Sequence, residues 1–239
     1  MRAYLITDPL IALATIIYAT ISVVLSFFDS SGRRPASIAA AWARLLLLIS
    51  RVKVRVKNGE RIQADGSYVI ASNHASYMDT PVVLANLPVQ FRFLAKKGLF
   101  SIPFLGTHLA RAGHIPVYRG DPRAAVKTLS RAAEAVQEKR ISLLVFPEGG
   151  RTHDGVMQDF KEGAAYMAIK AGVPLVPIAL KGTRAVLPFG SGHVRGGLVE
   201  LRVGEPIPTV GLKLHDRVRI TEEARAQIVA MLQDSVEAQ

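Results

Sequence analysis

The stretch that decides the fold runs Tyr68-Val69-Ile70-Ala71-Ser72-Asn73-His74-Ala75-Ser76-Tyr77-Met78-Asp79. It opens with a short apolar run, which is typical of a buried strand, and continues into a polar loop. A second apolar run leads in the same way into a polar turn, Leu143-Leu144-Val145-Phe146-Pro147-Glu148-Gly149-Gly150-Arg151-Thr152. Open α/β sheets build active sites from polar loops at the ends of apolar strands. The two stretches therefore predict an α/β fold with a site formed by these two loops.

The chain from residue 51 onward alternates between strand-like and helical patterns. At 52–57 three valines alternate with basic residues, which predicts a half-exposed strand. Further strand-like runs lie at 68–71, 91–95, 115–118, 141–146, 174–180 and 198–203, and helical patterns lie at 81–87, 99–111, 122–138, 161–171 and 221–236. This alternation predicts a mixed, largely parallel sheet flanked by helices. Pro174 and Pro177 predict that the strand carrying them is an edge or bulged strand.

Residues 1–50 form a hydrophobic segment ahead of this pattern. An uncharged run extends from Leu10 to Phe28. As a helix it would be about 28 Å long, close to the ~30 Å hydrocarbon core of a bilayer. A basic turn follows, and then a second apolar stretch at 38–49 that carries Trp42. We expect a helical hairpin anchored in one leaflet, with Trp42 and the arginines near the head groups, and a catalytic domain over 51–239. A single membrane span and a pair of soluble helices packed on the core are the alternatives.

The composition narrows the choice of partners. The net charge is +11, from 30 basic and 19 acidic residues. Such a charge suits nucleic acid, an anionic membrane surface or small anionic substrates. No recognised nucleic-acid-binding module is visible and the N-terminus is apolar, so we expect a membrane surface and no nucleic acid. The chain has no cysteine and its histidines lack metal-ligand spacing, so we expect neither a metal nor a bound cofactor.

His74 and Asp79 have the residue types of a general base and the carboxylate that orients it. Five positions on an ideal helix would turn the two side chains apart, so they can meet only across a loop. We expect Thr80 to cap the next helix with Pro81 at its first position, which leaves Asp79 to fix the imidazole tautomer. The alternative is that Asp79 only caps a helix. Because the chain has no Gly-x-Ser-x-Gly sequence, we expect a base that activates a substrate hydroxyl for direct attack, without a covalent intermediate on the enzyme.

Four stretches in this order resemble the motifs of the glycerolipid acyltransferase family. They are His74 with Asp79, Gly113-His114-Ile115-Pro116-Val117-Tyr118-Arg119, Phe146-Pro147-Glu148-Gly149-Gly150-Arg151 and Val173-Pro174-Leu175-Val176-Pro177-Ile178. The resemblance covers roughly residues 50 to 210. One departure lies in the third motif, where Gly150 stands in place of the family's usual threonine and Thr152 in place of its usual serine.

The resemblance implies an enzyme of phospholipid biosynthesis. A fatty acyl group would move from acyl-CoA or acyl-carrier protein to the sn-2 hydroxyl of 1-acyl-sn-glycerol 3-phosphate (lysophosphatidic acid), giving phosphatidic acid. His74 would be the general base, and Arg119, Glu148 and Arg151 would bind the acceptor. The family's fourth motif is tied to the acyl-chain or acceptor pocket, and a purely structural strand is the other interpretation.

The residues themselves suggest how the remaining polar groups would act. Arg119 and Arg151 can each hold a phosphate with two N–H groups. Glu148 would orient an arginine or accept from a hydroxyl, with an ion pair to Arg151 as the alternative. Backbone N–H groups around Gly149 and Gly150 are candidate oxyanion donors. Lys96 and Lys161 would add positive charge near the site, or else be solvated surface lysines.

Two other functions stay open at this stage. One is a related acyltransferase with a different acceptor: glycerol 3-phosphate, a lyso-aminolipid or another lysophospholipid. The other is a non-catalytic module that binds anionic membranes, which would leave His74 and Asp79 unexplained. For the enzyme we expect membrane lipids as partners and a location on the cytoplasmic face of the inner (plasma) membrane.

Overall fold

The computed structural model describes residues 3–29, 31–118, 122–152, 155–188 and 190–234. The chain begins with a π-helical turn, Ala3–Thr7, that runs directly into helix α1 (Asp8–Ser26). After a short turn, helix α2 (Arg33–Ser50) leads back to the sheet. The predicted N-terminal helical pair is therefore present.

Seven strands form one mixed sheet across the described residues. They are β1 (Val52–Lys57), β2 (Val69–Ser72), β3 (Phe91–Lys96), β4 (Ile115–Val117), β5 (Ser142–Val145), β6 (Leu175–Lys181) and β7 (Gly197–Val203). Their order is β1-β7-β6-β2-β5-β3-β4. The five strands from β6 to β4 are parallel, whereas β7 pairs antiparallel with β6 and carries β1 parallel to itself. The predicted fold class, a mixed and largely parallel sheet flanked by helices, is confirmed.

The remaining helices cover the two faces of the sheet. They are α3 (Asp79–Asn86), α4 (Leu105–Arg111), α5 (Pro122–Lys139), α6 (Gly163–Ala171), α7 (Thr183–Val186) and α8 (Arg217–Gln233). Residues of α2 and α3 belong to one apolar cluster, and residues of α5, α6 and α8 belong to the other. Along β2, Val69 and Ala71 point into the second cluster while Ile70 points into the first. The sheet is thus buried on both faces, as parallel sheets generally are.

Of the two expectations for the strand with Pro177, an edge or a bulged strand, the edge position is wrong, because β6 lies inside the sheet between β7 and β2. The carbonyl of Pro177 accepts from Gly204 N–H, and the ladder with β7 begins only at Ile178. The imino nitrogen of a strand residue lies on the same side as its carbonyl. The Pro177 nitrogen, which has no hydrogen, therefore points toward β7 at a position beyond the last β6–β7 pair. Proline consequently costs no hydrogen bond between β6 and β2.

Helix α1 is attached to the domain by polar groups near both of its ends. At its start the Asp8 carboxylate lies 2.6 Å from His193 Nδ1. Toward its end, Ser22 Oγ and His108 Nδ1 share a hydrogen bond of 2.7 Å, and Arg111 Nε donates to Ser26 Oγ at 2.6 Å. The rest of its circumference is largely apolar and exposed. A helix held to one domain at both ends lies along that domain.

Helix α2 is part of the core, so the expectation that the whole hairpin stands apart from the catalytic core is wrong for this helix. Leu46 and Leu47 are buried in the same cluster as residues of β2 and α3. The indole N–H of Trp42 donates to Thr15 Oγ1 of α1 at 3.0 Å, and its position near head groups stays a prediction. The division into an anchor over 1–50 and a catalytic domain over 51–239 stays a prediction.

The segment Leu5–Ser26 is the one helical stretch of the described chain that is long and apolar enough to cross a membrane, judged by length and composition alone. This apolar helix fits membrane association. Its contacts to the domain near both ends favour an orientation within one leaflet over a spanning one, because a spanning helix would have to carry one end away from the domain.

Two neighbouring leucines test whether α2 belongs to the core. Leu47 is 7% exposed and Leu48 is 74% exposed. We expect Leu47→Ala to lower the free energy of unfolding by about 2–5 kcal/mol, because it leaves a cavity in the core. Leu48→Ala should change it by about 0.5 kcal/mol or less. Denaturant unfolding in mild detergent measures both, and equal losses would contradict the assignment of α2 to the core.

Candidate active site

The register of β2 against β5 brings the two polar loops together. Ala71 pairs with Val145, so the residues that follow each strand emerge side by side. The backbone N–H of His74 donates to Glu148 Oε1 at 2.6 Å, and the backbone N–H of Gln158 donates to Glu148 Oε2 at 2.8 Å. The carbonyl of His74 accepts from Thr152 N–H at 3.2 Å. The backbone of His74 is thus held on both sides by the 146–158 segment.

Asn73 holds the same loop to the strand on its other side. Its Nδ2 donates to Leu180 carbonyl at 3.0 Å, and its Oδ1 accepts from Leu180 N–H at 2.8 Å. Its side chain therefore continues the pairing of β2 with β6 beyond the last paired residues of β2. The loop that starts at residue 73 consequently leaves the sheet at a fixed place.

His74 and Asp79 meet across the loop, as predicted. The distance from His74 Nδ1 to Asp79 Oδ2 is 2.8 Å, and the Asp79 side chain is completely buried. Asp79 Oδ2 also accepts the backbone N–H groups of Ala75 and Ser76, at 2.8 and 2.9 Å. An oxygen that receives these N–H groups acts as an acceptor, so His74 Nδ1–H is the donor in their contact. The lone pair of the imidazole then lies on Nε2, which can take a proton.

Helix α3 begins two residues earlier than expected. Asp79 is its first residue, and Pro81 is its third, so Thr80 does not cap this helix. The carboxylate therefore stands at a helix N-terminus, where the backbone dipole favours a negative charge. The same carboxylate thus starts the helix and accepts from the His74 ring.

The ring of His74 rests on an aromatic side chain. Its centroid lies 3.8 Å from that of Phe146, and the two planes differ by 13°. Phe146 is the first residue after β5, so the same strand end that supplies Glu148 also supplies this support. His74 is mostly buried, and it lines an open cleft with Asn73, Glu148, Thr152, Lys181 and Arg184. The imidazole is therefore fixed in orientation while it remains accessible from the cleft.

The turn after Phe146 depends on a glycine. Gly149 has φ +78°, and its N–H donates to the carbonyl of Phe146 at 3.0 Å. A Cβ at this position would lie 2.9 Å from Lys161 Nζ. The expected role of the Gly149 N–H as an oxyanion donor is wrong in this conformation, because the turn already uses it. The N–H of Gly150 makes no hydrogen bond with the described residues, so this donor remains available.

Arg151 lies beside the His74 loop. Its Nε donates to the carbonyl of Ser76 at 3.3 Å, and its guanidinium carbon lies 3.9 Å from the centroid of the Tyr77 ring. Burial lowers the pKa of this guanidinium from its high ordinary value, yet arginine stays charged in proteins. The structure therefore brings one of the two predicted phosphate-binding arginines to the site. Arg119 lies outside the described residues.

The family comparison agrees with this geometry. A family model described as Acyltransferase matches residues 53–181, more than half of the chain. The chain belongs to the acyltransferase family. The match covers β2 with the His74 loop, β5 with the Glu148 turn, and β6.

Relatives and a solved structure resemble this acyltransferase. The chloroplastic 1-acyl-sn-glycerol-3-phosphate acyltransferase BAT2 of Brassica napus is 38% identical over 71% of this chain and 49% of its own length. The 1-acyl-sn-glycerol-3-phosphate acyltransferase alpha of Homo sapiens is 29% identical over 80% of this chain and 69% of its own. The crystal structure of the 1-acyl-sn-glycerophosphate (LPA) acyltransferase PlsC from Thermotoga maritima has a TM-score of 0.80 at 25% identity, covering 99% of this chain and 98% of that one. The chain spans about half the length of the plant relative.

The two predicted lysines have different positions in this acyltransferase. Lys161 reaches the glycine turn, because its Nζ lies against Gly149 and its N–H donates to the carbonyl of Pro147 at 3.0 Å. Lys96 is exposed at the end of β3, which is separated from β2 by β5. Two strand spacings place it about 10 Å to the side of the His74 loop. Lys161 is thus close to the turn, and Lys96 lies toward the rim.

Glu148 bonds to the backbone and not, as expected, to an arginine, while its expected contact with an acceptor hydroxyl stays a prediction. Both of its carboxylate oxygens accept backbone N–H groups, and within the described ranges no arginine forms an ion pair with it. Burial raises the pKa of its carboxyl, while the N–H groups of Gln158 and His74 act in the opposite direction. Neither the orienting role nor the ion pair with Arg151 is present. Glu148 instead fixes the loop that carries His74.

Several residues of the site carried no separate signal in the sequence. Asn73 and Ser76 flank His74, and each bonds to the backbone of another element: Asn73 to Leu180 and Ser76 Oγ to the Leu187 carbonyl. Their position in a polar loop after a strand was the available signal. Lys181 and Arg184 line the cleft from β6 and α7, but nothing near them in the chain indicates a site. No cluster of three or more metal-ligating side chains occurs in the described chain.

The contacts of Glu148 lead to a test of its role. In Glu148→Gln one backbone N–H would face an amide NH₂ instead of an oxygen, which costs about 1–3 kcal/mol. We expect kcat to fall about tenfold or more, since the His74 backbone shifts, with little change in either KM. Steady-state kinetics with acyl-CoA and a lysolipid measures this, and Glu138→Gln on the exposed face of α5 is the matched control. A selective rise in the lysolipid KM would instead place Glu148 on the acceptor.

Proposed function

We propose that this acyltransferase moves a fatty acyl group from acyl-CoA or acyl-carrier protein to the sn-2 hydroxyl of 1-acyl-sn-glycerol 3-phosphate, giving phosphatidic acid. The observation that carries the proposal is the 2.8 Å contact between His74 Nδ1 and buried Asp79, at a cleft beside a basic loop. Named relatives acting on 1-acyl-sn-glycerol 3-phosphate support the choice of acceptor. Acyl-CoA or acyl-carrier protein would be a co-substrate, and no resident cofactor takes part.

The proposed chemistry is a direct transfer. His74 Nε2 takes the proton of the acceptor hydroxyl as its oxygen attacks the thioester carbonyl. The new C–O bond forms, and the negative charge passes to the carbonyl oxygen, near the N–H of Gly150. When the C–S bond breaks, the thiolate leaves with the proton held by His74. Asp79 stabilises the imidazolium between these two transfers and keeps the ring in place.

Cations around the loop would hold the acceptor's phosphate. Arg151 is fixed beside the carbonyl of Ser76 and the ring of Tyr77, and Lys161 stands at the glycine turn. Arginine binds phosphate with two parallel N–H groups, so Arg151 suits a monoester. We propose that Arg119, which lies outside the described residues, supplies a second such group.

The proposed location is the cytoplasmic face of the inner membrane, with α1 in one leaflet. The apolar surface of α1, its contacts to the domain near both ends and the net charge of +11 support it. Basic residues are attracted to anionic lipid of the cytoplasmic leaflet. The acceptor is itself a membrane lipid, so this arrangement would hold the cleft at the level of its head group.

A test of the acceptor measures thiol release from acyl-CoA with and without lysolipids. We expect release that depends on 1-acyl-sn-glycerol 3-phosphate and is slower with glycerol 3-phosphate, a lyso-aminolipid or other lysophospholipids. A faster rate with one of these would assign a different acceptor to the same chemistry. No release with any acceptor, from acyl-CoA or from acyl-carrier protein loaded with the same acyl group, would leave only a membrane-binding role.

Variants of the proposed base test the mechanism. We expect His74→Ala to lower kcat/KM by about 10²–10⁴-fold, as the loss of a general base typically does. Asp79→Asn should also impair turnover, because its amide no longer selects the tautomer with Nε2 free. His215→Ala, at an exposed site, is the matched control. Near-normal turnover by folded His74→Ala protein would exclude the mechanism.

The two arginines give a separate prediction. Arg119→Ala and Arg151→Ala should each raise the KM for the lysolipid by about tenfold or more, since a charged hydrogen bond contributes about 1.5–3 kcal/mol. The KM for acyl-CoA should change much less. Arg219→Ala, which removes an exposed charge from α8, is the control. An equal rise in the KM values of both substrates would contradict the proposal that these arginines bind the acceptor's phosphate.

A further inference from the structure

The segment between β3 and α4 exposes apolar side chains that nothing in the sequence singled out. A 3-10 turn, Lys97–Ser101, is followed by a short loop into α4 at Leu105. The exposed large side chains of this segment are Leu99, Ile102, Phe104 and Leu105, with Phe104 66% exposed. We call residues 99–105 the wedge. Four exposed large apolar residues within seven positions form a local patch, unlike the scattered ones that are normal on a protein surface.

The backbone of the wedge is held in an unfavourable conformation at its most exposed residue. Phe104 has φ 63° and ψ −53°, and Leu105 N–H donates to the carbonyl of Pro103 at 2.7 Å. This is the positive-φ form of the γ-turn, which is rare and strained for a bulky residue. Strain at a residue that has little packing of its own indicates a role outside the protein's own core.

Tight contacts keep the strained turn in place. Gly106 N–H donates to the carbonyl of Ile102 at 2.7 Å. A Cβ on Gly106 would lie 2.0 Å from the carbonyl oxygen of Phe100, so only glycine allows this close approach. The 3-10 turn and the start of α4 are therefore packed backbone to backbone. The Phe104 side chain is presented by a rigid support.

The wedge lies beside α1, because α4 directly follows it and is bonded to α1. The links are the Ser22–His108 hydrogen bond and two bonds from Arg111, whose Nη2 donates to the Ser26 carbonyl at 2.7 Å. Arg111 also stacks on the ring of Phe27, 4.1 Å from its centroid. The apolar surface of α1 and that of the wedge are thus parts of one side of the molecule.

The charges next to the wedge suit anionic head groups. Lys96 and Lys97 directly precede it, and Lys97 Nζ lies 4.5 Å from the centroid of the Tyr118 ring. Lysine and tyrosine side chains are characteristic of the membrane–water interface, where an apolar stem meets a polar layer. A cationic rim around an apolar patch complements an anionic bilayer more closely than it does a second copy of this basic chain.

We propose that the wedge inserts into the same anionic bilayer as α1 and forms a second membrane contact. This inference rests on the proposed membrane association and adds a defined element to it. A lone helix, apolar over most of its circumference, can roll about its axis in a leaflet. A second contact beside it fixes the rotation. The wedge follows the carboxyl end of β3, and His74 follows the carboxyl end of β2, so both lie at the same end of the parallel strands. The fixed orientation therefore turns the cleft toward the lipid surface.

Single-tryptophan proteins test the insertion. The chain has one tryptophan, so Trp42→Phe gives a background without any. The tryptophan fluorescence of the Phe104→Trp protein in that background should be quenched by brominated phospholipids in vesicles of phosphatidylglycerol and phosphatidylcholine. Val210→Trp is the matched control, because Val210 is 82% exposed and lies near Ile207, which pairs with the amino end of β6 at the opposite sheet edge. Ile102→Trp serves as a second reporter in case Phe104→Trp fails to fold.

A second measurement uses the full chain with its native tryptophan. Asparagine tolerates positive φ better than phenylalanine, so Phe104→Asn should fold while it removes the apolar side chain. We expect its partition into the same vesicles to fall about tenfold or more, and Val210→Asn to show no change. Activity on vesicle-borne lysolipid should fall in parallel, and activity on a short-chain soluble acceptor should stay within about twofold.

Each outcome has a definite meaning. Quenching at positions 104 or 102 without quenching at 210 supports the wedge. If neither wedge position is quenched in protein that still pellets with vesicles, insertion of the wedge is excluded. Membrane association by α1 is then unaffected. Failure of the unaltered chain to pellet overturns both. Self-association that depends on Phe104 in the absence of lipid would identify a second copy as the occupant and also overturn the proposal.

Discussion

The site depends on one carboxylate that bridges two loops. Glu148 accepts the N–H of His74 with one oxygen and the N–H of Gln158 with the other. Both donors belong to irregular backbone, and the His74 N–H is buried, where it would be costly to leave unpaired. The same carboxylate therefore fixes the loop that carries the base and closes the loop that carries Arg151. Burial of this carboxylate is tolerated because two N–H groups compensate it.

The sheet supplies the positions on which this bridge is built. Because of the register of β2 with β5, His74 and Glu148 lie at the same distance beyond their strand ends. The side-chain amide of Asn73 bonds to β6 as a backbone peptide group would, which extends the pairing of β2 with β6. Asp79 then reaches back from the first residue of α3 to His74 Nδ1. Three parallel strand ends and one helix start thus converge around His74. Glu148 accepts from its backbone, Leu180 bonds to the neighbouring Asn73 side chain, and Asp79 alone bonds to the imidazole.

The fold and the central pair of the site could be predicted from sequence because they depend on local patterns. Apolar runs and turn residues located the seven strands, and a loop between β2 and α3 allowed His74 and Asp79 to meet. What failed depends on contacts distant in the chain. The role of Glu148 arises from backbone N–H groups at 74 and 158, and the interior place of Pro177 arises from where the ladder with β7 begins. Likewise, Leu46 and Leu47 joined the core because α2 folds back onto the sheet, which composition cannot show.

The attachment of α1 near both ends has a mechanical consequence for the membrane. In the proposed orientation the helix occupies one leaflet only, so it would widen that leaflet without widening the other. An asymmetric insertion of this kind does work against lateral pressure and is favoured where lipid packing is loose or the surface is convex. An enzyme held in this way would respond to the shape and packing of the bilayer, and those properties change as a lipid with one chain is converted into a lipid with two.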